Sequence, residues 1–103
     1  MPGTQFKEYS VAVAQTAAGS ATIAAAPAAG KKIVVTGFVL VGNGAGTVKF
    51  TSGSDLTGAM VIASGTQLTA GVTRLYGAEA TVMTLTTATS FVNGFVNYII
   101  APA

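Results

Sequence analysis

Apolar and polar residues recur along much of this chain with a period of two, and the pattern is sharpest between Lys31 and Gly53. From Ile33 to Val41 both alternating sets are apolar: Ile33, Val35, Val39 and Val41 on one, Val34, Phe38 and Leu40 on the other. That pattern predicts a strand buried on both faces, or a central one with one face against a partner. From Thr47 to Thr51 the alternation is clean, with Val48 and Phe50 set against Thr47, Lys49 and Thr51, which predicts a half-buried strand with a wet face. Between them, Gly42-Asn43-Gly44-Ala45-Gly46 supplies residues that tolerate positive φ. The two runs are therefore expected to form the central hairpin of a β-sandwich.

The flanking sequence extends the same reading. Residues 1–9 form an N-terminal arm that leads into a first strand over Ser10 to Thr16, and Ala17 to Ser20 make a turn. Ala21 to Ala26, centred on Ile23, fits either a second strand or a short helix, because alanine is a weak strand former. Pro27 to Gly30 ends that segment on either reading. Ser52 to Thr57 is a loop holding Asp55, Gly58 to Ala63 a strand, and Ser64-Gly65 its turn. Gln67 to Ala70 extends a neighbouring strand or crosses between sheets, and Val72 to Tyr76 is a strand with Arg74 outward. Glu79 to Thr87 places Met83 and Leu85 on one face and Val82, Thr84 and Thr86 on the other. Phe91 to Ile100 carries large side chains on both faces and so reads as central or interfacial. About eight short strands with regularly spaced turns predict an all-β chain, an antiparallel β-sandwich of jelly-roll or Greek-key type. No repeat, linker or composition break divides residues 1–103, so one domain is expected.

Charge changes the picture most. Only 8% of the residues are charged and the net charge is +2, whereas a typical soluble domain carries about a quarter of its residues as charges. So sparse a surface is expected to be covered, most simply by copies of the same chain or by a larger assembly. The cations Lys7, Lys31, Lys32, Lys49 and Arg74 are scattered. A nucleic-acid binder needs a dense basic stripe with stacking aromatics, so none is expected as a partner. No apolar run approaches the roughly 18 residues of a membrane-crossing helix, and no membrane is expected. VAVAQTAA after Lys7-Glu8 is a weak match to a secretory signal.

Candidate chemistry is thin. The chain has no histidine and no cysteine, which removes the commonest general base, metal ligand and thiol nucleophile. No catalytic, cofactor-binding or metal-ligating residue is therefore assigned. Glu8, Asp55 and Glu79 lie in three separate segments. Asp55 is expected to stabilise its loop and Glu79 to open a strand at the surface, rather than to act as a hydrolytic pair. Gly42 to Gly46 lacks the Lys-Ser or Lys-Thr ending and the following helix of a phosphate loop. Lys31-Lys32 could clamp an acidic surface, but a lysine pair opening a strand more often discourages edge pairing. Phe6 and Tyr9 either fold onto their own core or dock on a neighbouring subunit. These four, Phe6, Tyr9, Lys31 and Lys32, are the possible interface residues. Tyr76 and Tyr98, without a tryptophan beside them, fit caps on a core better than a sugar site.

KIVVTGFVLVGNGAGTVKFTSGS, Lys32 to Ser54, followed by Leu56-Thr57-Gly58 and later by Phe95-Val96-Asn97-Tyr98, resembles small virion proteins of tailed bacteriophages that decorate or cement the head. The likeness lies in a V-T-G-x-V-L-V strand, an N-G reversal, a T-V-K-F strand and an S-G-S…L-T-G loop. The resemblance implies a non-enzymatic β-sandwich on the capsid surface. It would work as a symmetric oligomer, most simply a trimer, bound to the major capsid protein, with no cofactor and no site residue to transfer. The alternative that the residues leave open is a secreted adhesion or carbohydrate-binding module. A small hydrolase on the same scaffold ranks third.

Overall fold

The structure, a computed structural model, describes residues 7–70 and 74–103. Among these residues ten strands are seen: β1 (Glu8–Ala14), β2 (Gly19–Ala24), β3 (Lys31–Gly42), β4 (Gly46–Ser52), β5 (Ser54–Asp55), β6 (Met60–Ile62), β7 (Gln67–Ala70), β8 (Leu75–Tyr76), β9 (Met83–Ala88) and β10 (Val92–Pro102). Sheet I runs β1-β10-β3-β7, with β8 further along the same edge of β3; sheet II runs β2-β9-β4-β5, with β6 beside β4. Every pairing is antiparallel. The first four strands thus pair, in order, with β10, β9, β7/β8 and β5/β6. This is one long hairpin rolled up on itself, so that β10 also meets β3 and β9 also meets β4: the jelly-roll order. Periodicity had left jelly roll and other Greek keys open, and the strand order decides between them. The segment from Gly19 to Ala24 is a strand, not a helix.

Two expectations are corrected here. Gly42 to Gly46 is not a hairpin turn, because β3 belongs to sheet I and β4 to sheet II. The segment crosses the sandwich and is stitched at its start by Gly42 N–H to Thr66 O (2.8 Å) and Asn43 N–H to Phe91 O (3.0 Å). Glycine is required for close approach rather than for a tight reversal: a Cβ at Gly42 would lie 2.5 Å from Ala63 O, and one at Gly46 would meet Ala88 O.

The second correction concerns β3, which is not apolar on both faces along a single register. A bulge at Thr36 sets Val35 opposite Tyr98 but Gly37 opposite Asn97. One extra residue flips the alternation, so the core set is Ile33 and Val35 before the bulge, Phe38 and Leu40 after it. Val39 and Val41 are left on the outer face, Val41 39% exposed.

The core fills the space between the sheets. Ile33, Val35, Phe38, Leu40, Val92 and Val96 of sheet I meet Ile23, Val48, Phe50, Ile62, Met83 and Leu85 of sheet II. The Phe38 and Phe50 rings lie 5.0 Å apart at 43°, a tilted geometry that aromatic quadrupoles favour. Gln15, between β1 and β2, ties both sheets at one end. Its Oε1 accepts from Val92 N–H (3.2 Å) and Thr87 Oγ1 (3.3 Å), and its Nε2 donates to Gly19 O (3.2 Å).

Other segments shift modestly. Glu8 and Tyr9, placed with the N-terminal arm from sequence, are the first residues of β1 and pair with Ile99 and Tyr98. The strand expected over Val72 to Tyr76 is seen as Leu75–Tyr76; Val72 and Thr73 lie outside the described residues, and Arg74 is exposed just before the strand. Glu79 does not open a strand. It sits in a turn with Ala80 at φ 52, and β9 begins at Met83. Ser52 to Thr57 contains the short β5, folded back on β4 through Gly53 at φ 78.

Candidate functional site

The three carboxylates are held apart by the topology. Glu8 accepts from Thr36 Oγ1 at 2.7 Å across the outer face of sheet I. Asp55 pairs with Lys49 Nζ at 3.2 Å on sheet II. Glu79 accepts from Gly30 N–H at 2.8 Å, closing one connection against another. Each carboxylate therefore has its own structural partner. Among the described residues no group of three or more acidic, histidine or cysteine side chains could hold a metal ion.

The surfaces are more informative than any cleft, and the two outer faces differ in the large side chains they expose. On sheet II the outward positions of β2, β9 and β4 are hydroxylic. Thr22, Thr84 and Thr51 form one cross-strand row, and Ser20, Thr86 and Lys49 the next. Ser20 and Thr86 share a hydrogen bond of 3.1 Å. Val61, 77% exposed, is the large apolar side chain there.

The outer face of sheet I is mixed, with Ser10 and Asn97 in one cross-strand row and Asn93 and Gln67 flanking Val41 in another, beside the rows that hold its large apolar side chains. Register places Ala12, Phe95, Val39 and Thr69 in one row, and Glu8, Ile99, Val34 and Tyr76 in another. Phe95 is 42% and Tyr76 57% exposed. Val34, although outward, is buried by these neighbours. The bulge at Thr36 is what exposes Val39 and Val41, since it turns them away from the core. The large side chains on both faces of the last strand signalled part of this surface from sequence. The contribution of β3 was concealed by the parity change.

Of the four sequence-derived interface residues, the three that are described, Tyr9, Lys31 and Lys32, are not assembled into one site. Phe6 lies outside the described residues. Tyr9 projects to the inner side at the end of β1, where its ring stacks on Tyr98 (5.2 Å, 17°) with Lys7 Nζ 5.2 Å above it. Tyr98 packs against the core, as a cap would. Lys32 projects outward, its Nζ 4.9 Å from the centre of the Tyr76 ring, within the range of a cation–π contact. Lys31 opens β3 opposite Pro102, and its carbonyl accepts from Ala80 N–H. Neither lysine guards a free edge: β10 pairs with this part of β3 on one side, and on the other Ala80 N–H donates to Lys31 O and Gly77 N–H to Ile33 O. The edge-protection reading of the pair is thereby corrected.

No family model, no curated protein and no solved structure matches this chain.

Proposed function

We propose that this chain is a non-enzymatic structural protein of a tailed-bacteriophage virion, decorating or cementing the capsid through symmetric contacts with its own copies and with the major capsid protein. The observation that carries the reading is a jelly roll with very few charges whose outer sheet I face exposes Phe95, Tyr76 and Val41. Large aromatic and aliphatic side chains exposed on one sheet face favour an interaction site there. The carboxylates add weight: each is engaged in holding a loop, strand or bulge rather than facing a cleft.

A cementing role needs little from any single contact, because repetition across a lattice turns weak contacts into firm attachment through effective concentration. A trimer at threefold lattice positions is the simplest arrangement. The test is co-expression with the major capsid protein encoded by the same genome, followed by sedimentation of the shells. The protein is expected to sediment with the shells in fixed proportion and to raise their disruption temperature. Protein left entirely at the top of the gradient refutes the reading.

A carbohydrate-binding module is the second reading, favoured by the rows of hydroxyls on sheet II. Reproducible hits on a glycan array, abolished by Thr84→Val with Thr86→Val, would select it instead.

A further inference from the structure

We infer that the outer face of sheet I is a twofold contact between two copies of this chain. The inference rests on the sheet's own geometry and stands whether or not a capsid is the final destination.

Size is the first argument. β10 has 11 residues, and the face is four strands wide where β1, β10, β3 and the β7/β8 edge lie side by side. At about 3.4 Å per residue and about 4.8 Å between strands, the face covers on the order of 600 Å². A standard stable interface takes about 800 Å² per partner, so this face with its rim is of the right size for one.

Self-complementarity is the second argument. Two copies of one sheet pack face to face about an axis that lies along the strands, with aligned geometry. If that axis runs between β10 and β3, it sets β10 of each copy against β3 of the other, and β1 against the β7/β8 edge. Phe95, on β10, is then brought over Val39 and Val41 of the second copy, the side chains that the bulge exposes. Small Ala12 falls opposite Thr69.

Charge is the third argument. Glu8 lies at the β1 end of the row that finishes at Tyr76, so the same rotation carries Glu8 onto Tyr76 of the second copy. There the Lys32 ammonium waits over the ring. The acidic and basic groups of the face therefore meet twice, once on each side of the axis, and an isologous contact requires that kind of match. A threefold arrangement would use other surfaces, such as the sheet edges, and is compatible with this contact.

The experiment is sedimentation equilibrium of the purified full chain over a dilution series, with no shell present. The wild type is expected to be dimeric, or an even-numbered assembly built from dimers. Phe95→Glu is expected to weaken association on the order of a hundredfold, the scale of a central aromatic anchor. Val61→Glu, on sheet II, should leave it unchanged. Glu8→Lys and Lys32→Glu should each weaken it about tenfold, and the double exchange should restore it. Circular dichroism and a melting curve on each variant keep unfolding separate from dissociation.

Three results would overturn the inference. One is a monomeric wild type, which would leave the face for the capsid protein and the virion reading intact. Another is a dissociation constant indifferent to Phe95→Glu. The third is a double exchange no better than its two single variants. Conversely, a dimer that never joins a shell would refute the virion reading and leave this contact standing.

Discussion

Gly94 lies in the middle of β10, between Val13 of β1 and Leu40 of β3, and its φ is +151. A methyl group there would land on the carbonyl oxygen of Val39. That oxygen belongs to the backbone of β3, so no side-chain rotation can make room. Gly94→Ala must therefore distort the junction of the two central strands of sheet I. Holding a non-glycine residue at such a φ costs about 1–3 kcal/mol. Opening the β3–β10 ladder at this point forfeits about one further hydrogen bond, about 1 kcal/mol. The expected loss is about 2–4 kcal/mol out of the roughly 5–15 kcal/mol that holds a domain folded. For a chain of this length that lowers Tm by on the order of 10–25 °C. Gly58→Ala is the matched control, because a Cβ there meets nothing within 4 Å and its φ is not positive. It is expected to be neutral or to stabilise by about 0.4–1 kcal/mol through the unfolded chain. Urea unfolding of both variants, with slopes compared to the wild type, separates stability from changes in compactness. A Gly94→Ala protein within 0.5 kcal/mol (roughly the scatter of distant surface substitutions) would refute the reasoning.

Two further substitutions probe the core and the ties between the sheets. Phe50 is fully buried against Phe38, so Phe50→Ala should cost about 3–5 kcal/mol in denaturant unfolding, and a cost below about 1.5 kcal/mol would mean the core collapses around the gap. Gln15→Ala removes the acceptor for Val92 N–H and Thr87 Oγ1. It should cost about 1–3 kcal/mol and speed hydrogen exchange at the Val92 amide, whereas unchanged exchange there would show that another group takes over the acceptor role.

Local strand identity was legible because alternation over a few residues is a local property. Val48 and Phe50 inward with Thr47, Lys49 and Thr51 outward, and Met83 and Leu85 inward with Thr84 and Thr86 outward, appear in the structure as the sequence spelled them. The jelly-roll partnership of β1 with β10 was not legible, since nothing local distinguishes one apolar edge from another. The hairpin expected at Gly42 to Gly46 failed for a related reason. Glycines that permit a tight turn also permit close backbone approach, and the two uses look alike until Ala63 O and Ala88 O are in place.

The candidate surface shows the same division. The shortage of charge, visible in the composition, leads to the expectation of a covered surface. It could not say which face, because that depends on the single unpaired residue at Thr36 that turns Val39 and Val41 outward. Lys32 likewise gained its meaning only when Tyr76 came beneath it from a strand more than forty positions away.

By itself, the sequence determined that this chain is built of β-strands, which residues within most strands share a face, and that its 103 residues hold no histidine and no cysteine. Those properties follow from residue type and from a period of two, both fixed within a few bonds of the chain. The tertiary structure alone decided the rolled-up strand order, the crossing at Gly42 to Gly46, and the two unlike outer faces. Each of these arises from contacts between distant segments, whose free energies are summed over the whole core and are written at no single position.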